Sequence, residues 1–390
     1  MSYQEAREFL AKHTRVIELA NDRGARVAIC PEFQGRVMTS TCGGPEGESF
    51  GFINRAFIEA GKPDPRFSNH GAEDRMWLSP EGGPFSLWFK PGVEQTIDNW
   101  YTPPAINEGV YEVLAQSGDG TASCKMARSM ELQNTAGTQF DLHVSREVRL
   151  LGRSDLQDCF GSEAVELLDC EAVEIVAYET INTITNRGAA MQREKGLVSM
   201  WMLSMLNGGP EAVIIVPYKP GDESQLGPVV TSDYFGPVPP ERLVVTPEAV
   251  LFRADSKFRA KIGTSQHRAR NVLGAIDFRG GTLTLASFSM PDDPAACDYM
   301  NNAWDPNMAE PFVGDVANAY NDGPAAPGAE GFGAFYEIES LSPAVPLATD
   351  ESLTHHHRTV HVSADAASLA QIARLTLGVD LDAVKDKMLN

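Results

Sequence analysis

The sequence has 390 residues, 43% of them hydrophobic, and a net charge of −21 from 53 acidic and 32 basic residues. That charge repels nucleic acid and anionic membrane surfaces, and no basic run offers a local exception, so neither is expected as a partner. No run of about 18 apolar residues occurs, so no membrane-spanning helix is expected.

Residues 1–12 read as a short polar amphipathic helix around Phe9 and Leu10. It has no apolar signal-peptide core, and the expected compartment is the cytoplasm. Strand-like stretches follow at 14–20, 25–30 and 36–41, rich in Val and Ile and separated by turn residues. From Val110 onward the pieces lengthen: 121–134, 140–150 and 171–186 read as extended, and Phe140, Leu142 and Val144 alternate onto one face. Further strands are expected at 212–216, 242–246, 250–254, 258–262, 272–278 and 282–288, with a closing pair at 334–340 and 353–362. Residues 323–333, rich in Pro and Gly, read as a long surface loop. The best helix covers 363–377, capped by Ser363 or Asp365, striped by Leu369 and Ile372 and ended by Gly378.

Many strands without alternating helices exclude a doubly wound α/β fold. The expected fold is all-β: a large antiparallel β-sandwich over residues 1–390 as a single domain, with an N-terminal helix (1–13) and a C-terminal helical tail (363–390). The six cysteines, Cys30, Cys42, Cys124, Cys159, Cys170 and Cys297, are scattered without a Cys-x-x-Cys pair, so they are expected to be reduced.

Three segments carry candidate chemistry. On a strand, His355, His357 and His361 share one face, while His356 and Arg358 take the other. Three imidazoles together suit acid–base or ligand-binding work, a metal site, or a hydrogen-bonded edge. Glu337 and Glu339 also share a face. Two neighbouring carboxylates raise one another's proton affinity unless a cation or ligand lies between them. In the third segment, residues 70–83, Trp77 suits stacking on the apolar face of a sugar, and Arg75 suits carboxylate or hydroxyl recognition. His70, Glu73 and Glu81 stand beside them. Two polar, aromatic clusters suit hydroxyl-rich ligands or ordinary turns: Asp98, Asn99, Trp100, Tyr101 and Thr102, then Asp315, Asn318, Tyr320, Asn321 and Asp322. No P-loop, dinucleotide-binding glycine motif, His-Glu-x-x-His or Gly-x-Ser-x-Gly is present.

Taken together, the motifs resemble an uncharacterised bacterial family within the galactose-mutarotase-like superfamily. The resemblance spans roughly 33–377. It rests on Gly71-Ala72-Glu73-Asp74-Arg75 with Trp77, Pro80-Glu81-Gly82-Gly83, Asp98-Asn99-Trp100, Asp233-Tyr234-Phe235-Gly236 and Gly314-Asp315. It is completed by Tyr320-Asn321-Asp322-Gly323-Pro324, Phe335-Tyr336-Glu337-Ile338-Glu339-Ser340 and Thr354-His355 with His357-Arg358-Thr359 and His361.

The resemblance implies a sugar or sugar-like ligand; no cofactor or metal is expected. By analogy with sugar mutarotases, Glu337 or Glu339 would be the base at the anomeric hydroxyl. The expected acid is a histidine, His355, His357 or His70, because the mid-chain stretch 183–187 lacks the histidine that mutarotases carry there. Substrate contacts are expected from His70, Glu73, Arg75, Trp77, Glu81, Asp98, Trp100, Asn321, Arg358 and His361. Two other functions fit the same residues: a non-catalytic carbohydrate sensor or accessory protein, and a metal-assisted lyase or hydrolase on the histidine face.

Overall fold

The computed structural model describes residues 1–117, 122–324 and 328–390. The expected start of a strand at Thr121 and the middle of the expected loop at 323–333 lie outside the described residues.

Three antiparallel sheets build the molecule. The largest has ten strands. From edge to edge they are Leu243–Val245, Ala249–Arg253, Ala212–Pro217, Val272–Asp277, Thr282–Phe288, Ser352–Ser363, Glu174–Asn186, Gln139–Leu150, Ser123–Gln133 and Glu112–Ser117. A five-stranded sheet packs against one face of it, in the order Ala260–Ser265, Asp315–Asn321, Phe335–Leu341, Ser199–Asn207 and Arg75–Ser79. A three-stranded sheet of Ile17–Ala20, Arg26–Cys30 and Arg36–Thr41 adjoins it, joined by a bridge between Val37 and Asp74. This is the expected β-sandwich.

The structure adds three strands of the five-stranded sheet to those expected. Ser199–Asn207 is buried on both faces along nearly all its length, so it shows no apolar–polar alternation. Arg75–Ser79 and Asp315–Asn321 carry turn-type neighbours and read as loops, yet each is sealed into the sheet.

The terminal helices close the outside. Tyr3–Leu10 starts in a capping box, with the Ser2 hydroxyl accepting from the Glu5 amide and the Glu5 carboxylate accepting from the Ser2 amide. Ala366–Leu377 is capped by Asp365 and ends at Gly378, whose φ of 72° is the left-handed conformation that glycine adopts without strain. A further helix, Leu381–Leu389, follows. Leu369, Ile372 and Leu377, with Leu381, Val384 and Met388 of the last helix, share a hydrophobic cluster with Val213, Ile215, Leu283, Leu285, Val360 and Val362. They therefore cover the face of the ten-stranded sheet that the five-stranded sheet leaves bare. The six cysteines are unpaired. Among the described residues, no helix is long and apolar enough to cross a membrane.

Candidate functional site in a cleft on the five-stranded sheet

Strand alternation divides the five-stranded sheet into two chemically different faces. On Phe335–Leu341, Tyr336, Ile338 and Ser340 point toward the ten-stranded sheet, while Glu337 and Glu339 point away from it. Register then fixes their neighbours: Tyr320 lies across from Glu337 on one side, and Leu203 across from Glu339 on the other. Lys261 lies opposite Tyr320, and Arg75 opposite Leu203. The outcome is a cleft floored by these strands. Its walls come from loops, which bring Phe67, Glu81, Trp100, Phe235, Trp304 and Phe332 over Trp77 and Trp201.

Two nearly dry ion pairs lie on the floor of the cleft. Arg75 donates to Glu337 Oε1 at 2.6 Å, and Lys261 Nζ donates to Glu339 Oε2 at 3.0 Å. Trp201 Nε1 adds a second donor to Glu339 Oε2 at 2.8 Å, and Trp100 Nε1 donates to Glu81 Oε1 at 2.8 Å. The cations also lie over rings. The Arg75 guanidinium carbon is 4.0 Å from the Trp77 ring centre, and Lys261 Nζ is 4.6 Å from that of Trp201. Arg75 keeps Nε and Nη1 without hydrogen-bond partners, and Trp77 keeps its Nε1, so the floor holds unused donors.

Burial sets the proton affinities. It pushes Glu337 up to about 7, against the pull of Arg75 and with the help of the Glu339 charge. Burial likewise raises Glu81 and lowers Arg75. For Lys261, burial works against the ammonium, but Glu339 and Glu81 outweigh it and hold the group above its ordinary range. The cleft thus combines a carboxyl that changes protonation near neutrality with a second carboxylate bound to an ammonium, between aromatic walls.

The structure divides the residues singled out from the sequence. Glu337, Glu339, Arg75, Trp77, Glu81 and Trp100 all line the cleft. The histidines do not: His355, His357 and His361 share a face as the spacing predicts, but that face lies between the sheets. Ser340 Oγ sits 2.9 Å from both His355 Nε2 and His357 Nδ1, on the opposite side of the sheet from Glu337 and Glu339. Burial lowers His355 to about 3 and His357 to about 4, so both rings are neutral near pH 7. His361 Nε2 lies 3.1 Å from Glu73 Oε1, and Glu73 also accepts from the Ser40 amide, the Ser40 hydroxyl and the Tyr178 hydroxyl. Glu73 is therefore a fully satisfied core carboxylate. Beside it, Arg146 pairs with Asp74 and donates to Asn182 at 2.7 Å.

The other expected contacts lie elsewhere. Arg358 pairs with Glu179 at 2.8 Å on the other face of the ten-stranded sheet. Asn321 is buried and braces a loop, accepting from the Ser256 amide and donating to the Phe258 carbonyl. Asp98 is exposed and does not line the cleft. His70 stacks on Phe33 with ring centres 4.3 Å apart and lines a separate depression. No group of three His, Cys, Asp or Glu among the described residues is placed to hold a metal ion.

Tyr320, from a cluster read as suiting hydroxyl-rich ligands or an ordinary turn, also lines the cleft, as do Lys261, Arg259, Trp201 and Trp304, which the sequence did not single out. For Lys261 a signal existed, since Arg259 and Lys261 alternate with the apolar Ala260 and Ile262 in a stretch that reads as a strand.

Solved structures carry the same architecture. The Slr1438 protein of Synechocystis sp. PCC 6803 superposes with a TM-score of 0.50 at 12% identity, covering 90% of this chain and 96% of that one. A protein of Escherichia coli K12 provisionally assigned as an aldose 1-epimerase gives 0.51 at 12% identity, covering 90% and 99%. At such identity the likeness is one of fold, and that fold is the galactose-mutarotase-like β-sandwich. The chain itself belongs to DUF6786, a family of unknown function, whose model matches residues 1–388. No curated protein sequence matches it significantly.

Proposed function

We propose that this protein binds a sugar in the cleft and interconverts its anomers by proton transfer between Glu337 and Glu339. The observation that carries the reading is convergence: three carboxyls, three cations and four tryptophans face one cavity on this fold. The rings offer flat apolar surfaces to a pyranose face. Arg75, Lys261 and Glu81 offer charged partners to its hydroxyls.

Glu337 is suited to deliver a proton near pH 7, because burial holds its proton affinity there. Glu339 is the acceptor. In the forward step the anomeric hydroxyl gives its proton to Glu339 and the ring oxygen takes one from Glu337. The bond between the anomeric carbon and the ring oxygen breaks, leaving an open-chain aldehyde. Closure on its other face yields the second anomer and restores both carboxyls once protons re-equilibrate. A carboxyl thus takes the place of the histidine expected from the sequence.

A second reading, sugar binding without turnover, draws support from the ion pairs that already occupy Glu337 and Glu339 and from the lack of histidine in the cleft lining. Polarimetry on freshly dissolved glucose and galactose separates the two. Turnover predicts faster mutarotation with the protein, falling about 10²- to 10⁴-fold in Glu337→Gln and Glu339→Gln. Saturable tryptophan quenching with no rate effect identifies the binding-only reading, and unchanged rates in both variants sink the catalytic one.

A further inference from the structure

The cleft does not end at its own walls. Glu81, Phe235, Lys261 and Trp304 line it on one side and, on the other, line a second and larger depression. The two therefore adjoin, and the second lies toward the Ala260–Ser265 edge of the five-stranded sheet. Their linings differ. Around Trp77 and Trp201 the walls are aromatic, whereas the groove is walled by His267, Asp233, Asn301, Asp305 and Gln225. Asp315 reaches its place in the groove wall because Gly263, two residues along the strand from Lys261, has no side chain: a Cβ there would run into the Asp315 carboxylate and the Asn318 amide. Asp315 is itself fixed, accepting from the Tyr234 hydroxyl and, at 2.8 Å, from Asn318 Nδ2.

An aromatic cleft beside a groove whose walls carry polar groups offers more surface than one pyranose covers. Carboxylates, amides and an imidazole are the groups that bind hydroxyls, while Trp304 and Phe235 stand at the junction. We infer that the ligand is a glycan of at least two rings, one in the cleft and the next in the groove. This rests on the sugar reading of the cleft and adds its length.

The test is calorimetric titration of the full chain with glucose and galactose, then with maltose, cellobiose, lactose and maltotriose. The expected result is at least one di- or trisaccharide binding tenfold or more tightly than its monosaccharide. Val313→Trp, a substitution at an exposed groove wall, should abolish that gain and leave the monosaccharide affinity unchanged. His267→Gln, a smaller change, should reduce it. Equal affinities for short and long sugars overturn the inference while the cleft reading survives. So does a gain that persists in both variants. If no sugar of any length binds, the cleft reading falls and this inference falls with it.

Discussion

Glu337 is where burial and charge compete most openly. Arg75 at 2.6 Å favours its carboxylate, yet the loss of water outweighs that pull and the carboxyl titrates near 7. The sign of the linkage follows. An unfolded glutamate titrates near 4.5, so between about 4.5 and 7 the folded state binds more protons than the unfolded one. This contribution to stability is fully present below about 4.5 and is lost as the pH rises through about 7. Thermal melts from pH 4.5 to 8 should therefore show the wild type losing stability relative to Glu337→Gln as the pH rises. Parallel profiles for the two proteins would refute the assignment. Sequence pattern alone placed Glu337 and Glu339 on one strand face, because alternation is local. It could not show that Arg75 and Lys261 face them, since those contacts join residues 262 and 78 positions apart in the chain.

At the scale of the element, the Ser352–Ser363 strand shows how far a pattern reads. Alternation grouped His355, His357, Thr359 and His361 correctly, and all four are buried. What the pattern could not give was which side of a layer that face meets. Histidine at the surface of a cleft and histidine between two sheets have the same spacing. Here the shared Ser340 hydroxyl and the Glu73 carboxylate make the face a polar seam in the core. His355→Ala and His357→Ala should therefore each cost about 1–3 kcal/mol in urea unfolding by stranding buried partners. Sugar affinity per folded molecule should stay as it is. A selective loss of affinity at unchanged stability would instead give these rings a role at the cleft. Ser199–Asn207 marks the opposite limit, because burial on both faces erases the periodicity that identifies a strand.

At the scale of the molecule, the main hydrophobic cluster draws residues from Ile17 to Leu347, across all three sheets. Folding as one domain is the expected behaviour, visible as coincident unfolding transitions by circular dichroism and tryptophan fluorescence. The last two helices matter to that unit. Ending the chain at Ala364 uncovers Val213, Ile215, Leu283, Leu285, Val360 and Val362 together. Such a continuous apolar sheet face should make the shortened protein aggregate, as light scattering would report. A soluble, monomeric truncation with wild-type melting would show the helices to be dispensable. The sandwich was legible from strand number and from the absence of interleaved helices. The cleft was legible only in part, because its walls are loops whose positions depend on the whole assembly.

The strand Phe335–Leu341 has no spare residue. Its odd-numbered glutamates belong to the cleft, and its even-numbered Tyr336, Ile338 and Ser340 belong to the seam and core behind it. Inserting or deleting a single residue ahead of it would exchange the two sets at once, putting bare carboxylates against the ten-stranded sheet and apolar side chains into the cavity. Diversification of this protein, in nature or in a mutant library, is thereby channelled. Point changes at alternate positions, and length changes in the loops bearing Phe67, Phe235 and Trp304, can reshape what the cavity accepts, whereas the strand that floors it tolerates no change of length.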